Sequence, residues 1–340
     1  MAIKILIAEI GGKKRGVSAY EILKKEPRFT IVEIAKDIFE ARDKIGKTRP
    51  NLICLDYDSQ QLDYVRHITK LTPFAIPALI FSPLERRDAK LALDALGQGA
   101  IDFVVKPSVC NAAIEKELID KVYAGAKSKI ARVGGADRPK EPMIALQPSP
   151  TKKIIAIGAS TGGTEALKEV LTRMPKGSPG IVIVQHMPPN FTGTFAQRLD
   201  SLCAINVKEA KQGDEVVANQ ALIAPGDMHM FVRRSASRYF VEISRGDKIS
   251  GHRPSVDALF ESVAQSAGAN AVGAILTGMG GDGARGMLKM HKAGAKTVAQ
   301  DEKTCVVFGM PKVAIELGAV DRVASLETIP AAVLQFAAEI

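Results

Sequence analysis

Short apolar runs alternate with stretches of helical period along most of the chain. In the first 125 residues, runs rich in Ile, Leu and Val fall at 3–7, 29–34, 52–55, 76–81 and 102–105. Between them, apolar residues recur every three or four positions around 17–26, 36–47, 60–71, 85–96 and 110–125. Strand–helix units with continuously apolar strands predict a parallel sheet covered by helices on both faces. Residues 126–152 lose all period: Gly134, Gly135, Pro139, Pro142, Pro148 and Pro150 stand among basic side chains, which is the composition of a tether. The alternation then restarts, with strands expected at 154–157, 180–184, 221–224 and 271–276 and a hairpin of 230–233 with 239–244. Helices are expected near 163–173, 191–202, 254–267, 283–293, 309–317 and 329–339. The predicted fold class is α/β: two doubly wound parallel-sheet domains, over 1–125 and 152–340, joined by a linker over 126–151. In such sheets the functional residues sit at the carboxyl ends of the strands.

Composition narrows the class. Apolar residues make up 46% and charged residues 24% of the 340, which excludes a disordered or fibrous chain. The formal net charge of +9 suggests nucleic acid until it is located. Residues 121–153 carry 8 basic and 2 acidic side chains, whereas 154–340 carry 19 and 18. The excess lies in the tether, so the charge argues against a nucleic-acid partner. Cys54, Cys110, Cys203 and Cys305 have no metal or disulfide spacing and read as small apolar fillers in a reducing compartment. The apolar run before Glu9 is too short for a secretory segment, and no run approaches the roughly 18 residues that span a bilayer. A cytoplasmic protein without membrane insertion is expected.

Three strand ends in the second block carry the candidate chemistry. In Gly158-Ala-Ser-Thr-Gly-Gly-Thr-Glu-Ala166 a buried strand turns through small residues into a helix, leaving backbone N–H groups free for an anion. Such a turn serves either a phosphate or a nucleophile elbow presenting Ser160. There is no Gly-Lys-Ser/Thr, and the next strand ends in Gln185-His186 rather than in an acid for a ribose. His186 could take the Ser160 proton and return it to a leaving group. Asp282 lies among glycines after the 271–276 strand; alone it would read as a helix cap. Ser, His and Asp at three strand ends of one sheet together point to a serine hydrolase, although 26 and 96 residues separate His186 from its partners. His229, Asp227 and His252-Arg253-Pro254-Ser255 are expected to wall the cleft, with Pro254 and Asp227 also readable as helix-start and turn residues. His67 and His291 lie on helical patterns.

These motifs occur in a fixed order together with Gln185-His-Met-Pro-Pro-Asn-Phe191, Ile223-Ala-Pro-Gly-Asp227, Leu276-Thr-Gly-Met-Gly-Gly-Asp-Gly283 and Cys305-Val-Val-Phe-Gly-Met-Pro311. From about 152 to its end the chain resembles the bacterial chemotaxis protein-glutamate methylesterases. The resemblance implies that Ser160 is the nucleophile, His186 the general base and acid, and Asp282 the orienting carboxylate. It further implies that the Met279 N–H joins an oxyanion hole and that Thr161 supports the histidine. The implied substrate is a γ-glutamyl methyl ester, or a glutamine to be deamidated, on the cytoplasmic helices of a chemoreceptor, and the ester chemistry needs no cofactor.

The first block resembles a response-regulator receiver domain, which implies that it restrains access to the esterase site. Asp56 stands where that family has its phosphoacceptor, and Ser82 and Lys106 where it contacts the phosphoryl group; a chemotaxis histidine kinase is the implied donor. Glu9 and Asp56 are the implied Mg²⁺ ligands, but Ile10 replaces a second carboxylate, and Tyr57-Asp-Ser-Gln-Gln-Leu-Asp63 departs from the family's run. Losing an anionic ligand weakens a Mg²⁺ site. The alternatives are a domain that regulates by docking, a receiver-linked adaptor, or a nucleotide-binding regulator using the Gly158–Gly163 turn.

Overall fold

The computed structural model describes residues 2–10, 17–57, 76–83, 89–128 and 152–339. The chain divides into two compact units, Met1–Ile130 and Ala131–Ile340. In the first, β1 (Ile3–Ile10), β2 (Phe29–Ala35), β3 (Leu52–Tyr57), β4 (Ala78–Ser82) and β5 (Ala100–Val105) form one sheet in the order β2-β1-β3-β4-β5. All its pairings are parallel. This is a doubly wound order, with its switch point between β1 and β3, and there Glu9 and Asp56 lie side by side in register. The strand expected at 76–81 runs over Ala78–Ser82, with the Pro77 carbonyl accepting from Ile53 N–H at 2.9 Å just before it. Helices α1 (Ala19–Leu23), α2 (Ile38–Thr48), α3 (Ala89–Gly97) and α4 (Ala112–Ala126) follow the expected alternation. Asp37 and Asn111 cap α2 and α4 by accepting from Glu40 and Ile114 N–H. The helix expected at 60–71, His67 within it, and most of the tether lie outside the described residues.

The second unit holds a seven-stranded parallel sheet in the order β14-β13-β12-β6-β7-β9-β8. Its members are β6 (Ile154–Ala159), β7 (Gly180–Gln185), β8 (Asn206–Glu209), β9 (Gln220–Ile223), β12 (Ala271–Ile275), β13 (Lys296–Gln300) and β14 (Arg322–Ala324). Every residue of β6, β7 and β12 is buried, as expected of strands covered on both faces. The chain leaves β6 toward β7 on one side and returns through β12 on the other, so the crevice opens beside the end of β6. Strands β8, β13 and β14 were not anticipated. β8 and β14 are edge strands of four and three residues, half exposed and without an apolar run; β13 follows directly on a helix and begins with Lys296.

The expected hairpin is present as a separate antiparallel pair, β10 (His229–Ser235) and β11 (Arg238–Ser244). Met230, Val232 and Val241 pack against Leu259 and Val263 of α7 (Val256–Ala267), and Ser262 Oγ accepts from Val232 N–H at 2.8 Å. The remaining helices are α5 (Gly163–Thr172), α6 (Phe191–Leu202), α8 (Ala284–Lys292), α9 (Met310–Glu316) and α10 (Ile329–Glu339). Among the described residues, no helix is long and apolar enough to cross a membrane.

Candidate active site

Ser160 is the first residue past β6, and its backbone still belongs to the sheet: its N–H donates to Thr277 O at 3.0 Å. Its carbonyl accepts from Gly163 N–H at 2.7 Å, closing the turn into α5. Gly162 takes φ +78°, and a Cβ there would strike Val306 as well as strain the backbone, so this turn needs glycine. The sharp turn lifts the Ser160 hydroxyl above the end of the sheet. His186 is likewise the first residue past β7, with its N–H on Ala159 O at 3.1 Å. Gln185, buried beneath, donates from Nε2 to the carbonyls of Ser160 (2.9 Å) and His186 (3.2 Å) and so fixes the two strand ends to one another.

The side chains meet in series. His186 Nδ1 lies 3.1 Å from Ser160 Oγ, and His186 Nε2 lies 2.8 Å from Asp282 Oδ2. An ionised carboxylate only accepts, so Nε2 carries the ring proton and Nδ1 turns its lone pair to the serine. Asp282 does not cap its own helix; it sits on the N-terminus of α7. Its Oδ2 accepts from Val256 N–H at 2.7 Å, and its Oδ1 accepts from Ser255 Oγ at 2.8 Å and Asp257 N–H at 3.1 Å. Ser255 also caps α7, accepting from Ala258 N–H. Burial pushes the Asp282 carboxyl up, but its bonds to His186, Val256 N–H and Ser255 outweigh burial and hold it below the usual carboxylate range. The close approach depends on Gly283 and Gly158, where an added Cβ would run into Val256.

The loop after β12 comes down onto Ser160. A Cβ at Gly278 would lie 2.8 Å from the Ser160 Cβ and collide with Met310. Gly278 N–H donates to Val307 O at 3.1 Å, and its carbonyl accepts from Met310 N–H at 2.8 Å. Met279 follows in the same loop, its Cα against Gly309. Thr161 is buried and held by its carbonyl, which accepts from Thr277 Oγ1 at 3.0 Å.

The other expected residues fall in different places. His229 is fully buried rather than lining a cleft: Nε2 bonds Asp247 O at 2.8 Å, and Nδ1 accepts from Ser255 N–H at 3.3 Å. Asp227, at φ +62°, accepts from the Arg253 guanidinium at 2.9 and 2.6 Å. His291, in the last turn of α8, faces Asp321 at 3.4 Å. Ser255 was placed on a cleft wall, but it holds the carboxylate. Its signal was in the sequence: a Ser after Pro254, followed by an acid in the first helical turn, marks an N-cap.

In the first unit, Asp56 and Lys106 form a buried ion pair, with Lys106 Nζ 2.6 Å from Asp56 Oδ1. Asp56 Oδ2 accepts from Ala19 N–H at 2.8 Å. Burial lifts the Asp56 carboxyl above its ordinary value, against the opposing pull of Lys106 and Ala19. Ser82 stands beside them, its carbonyl accepting from Lys106 N–H at 2.8 Å. Glu9 accepts from Ser18 Oγ at 3.4 Å. Both Asp56 oxygens are thus engaged by protein donors and Ile10 offers no oxygen. Among the described residues no three His, Cys, Asp or Glu side chains converge. Mg²⁺ is commonly held by one or two carboxylates with waters, and Glu9 and Asp56 are the two that stand side by side here.

A hydroxyl, an imidazole and a carboxylate bonded in series at three strand ends of an α/β sheet define a site of the serine-hydrolase class. Residues 155–333 match the model of the CheB methylesterase family. A protein-glutamate methylesterase/protein-glutamine glutaminase of Sulfurimonas denitrificans is 47% identical, the alignment covering 97% of both chains. One of Pseudomonas aeruginosa is 46% identical over 99% of this chain and 98% of its own. The crystal structure of the Thermotoga maritima CheB methylesterase catalytic domain superposes with a TM-score of 0.53 at 42% identity, covering 54% of this chain and 97% of that one. The chain belongs to the protein-glutamate methylesterase/protein-glutamine glutaminase family.

Proposed function

We propose that this chain is a cytoplasmic chemotaxis enzyme that hydrolyses γ-glutamyl methyl esters, and deamidates glutamines, on chemoreceptor helices, with Ser160, His186 and Asp282 as its catalytic residues. The observation that carries the reading is the Ser160–His186–Asp282 series at 3.1 and 2.8 Å. As Ser160 Oγ attacks the ester carbonyl carbon, its proton passes to His186 Nδ1. Asp282 keeps the ring oriented and stabilises the imidazolium. The Met279 N–H supports the oxyanion, aided by the N-terminal end of α5. His186 then gives the proton to the methoxy oxygen as the C–O bond breaks, and methanol leaves. Water, deprotonated by the same nitrogen, attacks the acyl-serine and releases the glutamate carboxylate and the Ser160 hydroxyl. For a glutamine the leaving group is ammonia and the remaining steps are the same. None of these steps calls on a cofactor.

The first unit is read as a receiver-like regulator that restrains esterase activity. The carboxylate missing at Ile10 supports its use as a docking-type domain in which Mg²⁺ binding, and with it phosphoryl transfer to Asp56, is weakened. The test of the enzymatic reading is methanol release from a methyl-esterified chemoreceptor cytoplasmic fragment. Wild type is expected to release methanol and Ser160→Ala to be inactive; a Ser160→Ala protein of wild-type rate would sink the assignment.

A further inference from the structure

His252 is a motif residue that the triad leaves unused. Its imidazole lies face to face with that of His186, with ring centroids 3.9 Å apart and planes 8° from parallel. The backbone delivers the ring with little freedom. Ile249 and His252 exchange both backbone hydrogen bonds, at 3.1 and 2.9 Å, around Ser250 and Gly251, whose φ angles are +53° and +83°. Two successive positive φ values are those of a tight type I′ turn. Each side of the turn is anchored. Ser250 Oγ donates to Asp257 Oδ2 at 2.9 Å and accepts from Arg285 at 2.9 Å. Arg253 reaches Asp227 and, at 2.7 Å, the Gly246 carbonyl. Three residues past His252, the Ser255 hydroxyl and the Val256 and Asp257 N–H groups hold Asp282. One continuous stretch, 249–257, therefore grips both the base and the carboxylate of the triad, the first by a ring face and the second by three donors.

We propose that His252 is a positioning residue for this hydrolysis. Its ring face prevents His186 from tipping out of the plane that keeps Nδ1 on Ser160 and Nε2 on Asp282. It also offers an aromatic face to the positive charge that His186 gains on taking the serine proton. His252 itself neither gains nor loses a proton in the cycle: the proton moves from Ser160 Oγ to His186 Nδ1 and on to the methoxy oxygen. Because the imidazolium exists only along the reaction path, the contribution falls on kcat rather than on substrate binding. The inference rests on reading Ser160 as the nucleophile.

The experiment measures methanol release by the full chain from a methyl-esterified chemoreceptor fragment, comparing wild type with His252→Ala, His252→Leu, His252→Phe and Ser160→Ala. Aromatic and cation–π contacts at desolvated sites correspond to rate factors of about 3 to 30. His252→Ala and His252→Leu are expected to lose kcat by about that factor with KM within about twofold. His252→Phe, which restores a flat ring but no ionisable nitrogen, is expected to stay within about threefold of wild type. Leu fills the space without a ring, so its comparison with Phe separates aromatic contact from packing, and thermal unfolding of each variant identifies any that fail to fold. Wild-type kcat in His252→Ala, equal rates for Leu and Phe, or a loss confined to KM would each overturn the proposal. Retained activity in Ser160→Ala would instead overturn the nucleophile assignment on which it rests.

Discussion

Replacing Ser255 by alanine tests whether Asp282 is held as the geometry describes. The Ser255 hydroxyl is fully buried, donates to Asp282 Oδ1 at 2.8 Å and accepts from Ala258 N–H at 3.3 Å. Alanine removes both bonds and leaves the backbone N–H on His229 in place. Losing an N-cap costs about 1 kcal/mol, and losing a hydrogen bond to a charged group about 1.5–3 kcal/mol. Asp282 keeps the donors of His186, Val256 and Asp257, so its carboxylate is not orphaned and the lower end of that range applies. The expected loss is about 2–3 kcal/mol, read by urea unfolding of the second unit at neutral pH. A second readout follows from titration. Asp282 is held below its ordinary value, so its contribution is present above the unfolded-chain value near 4 and is lost as pH falls through the folded one. With one bond gone the folded carboxyl rises toward its unfolded value, so the acid-dependent part of the stability shrinks and its loss is complete at a higher pH. Ser255→Thr keeps the hydroxyl and is expected to keep most of the stability. A Ser255→Ala protein within about 0.5 kcal/mol of wild type, with an unchanged acid limb, would refute the reasoning.

Other outcomes follow from the same geometry. Gly278→Ala would drive a methyl group into Ser160 and Met310, displacing the loop that carries Met279; kcat is expected to fall by about 10² or more in the methanol assay, and a wild-type value would count against the oxyanion role. Asp282→Asn presents His186 Nε2 with an amide and favours the wrong tautomer, so kcat should drop by about 10⁴ while the unfolding free energy loses only the share of its acid dependence that Asp282 supplies. Lys106→Met strands a buried carboxylate and is expected to cost the first unit about 3–5 kcal/mol, with Asp56→Asn added to the same chain recovering most of it; additive losses in that cycle would break the pairing. Incubation with acetyl phosphate and Mg²⁺ is expected to add no phosphoryl mass at Asp56, and stoichiometric labelling would reverse that reading.

Much of this was legible in the sequence because it depends on short-range pattern. The apolar strands and the small-residue turns after them placed Ser160, His186 and the Asp282 loop at one edge of one sheet before any coordinates. The edge strands β8 and β14 were not legible, since three or four half-exposed residues carry no apolar run and are defined only by their neighbours. The support around the triad was hidden for a different reason. Asp282 is held by α7, whose N-terminus lies 25 to 27 residues away, and only the docking of that helix into the space left by Gly158 and Gly283 makes the contact. The burial of His229 is not legible, because a histidine bracing a buried turn and one facing solvent have the same local sequence. In the first unit the ion pair of Asp56 with Lys106 spans 50 residues, yet strand-end positions were enough to bring the two together on paper.

The loop over Ser160 is fixed by main chain at Gly278 and, through Val307, by the Thr277 hydroxyl. Gly278 is bound through its own N–H and carbonyl to Val307 and Met310, and a Cβ on Gly309 would already touch the Gly278 carbonyl and Gly280. The place of the proposed oxyanion loop is thus set largely by peptide groups and by the absence of side chains at Gly278 and Gly309. Substitutions elsewhere around the site are therefore expected to leave the loop in place as long as these glycines and Thr277 remain. The loop thus tolerates change around it but not within it, and redesign of the site should leave Gly278, Gly309 and Thr277 alone.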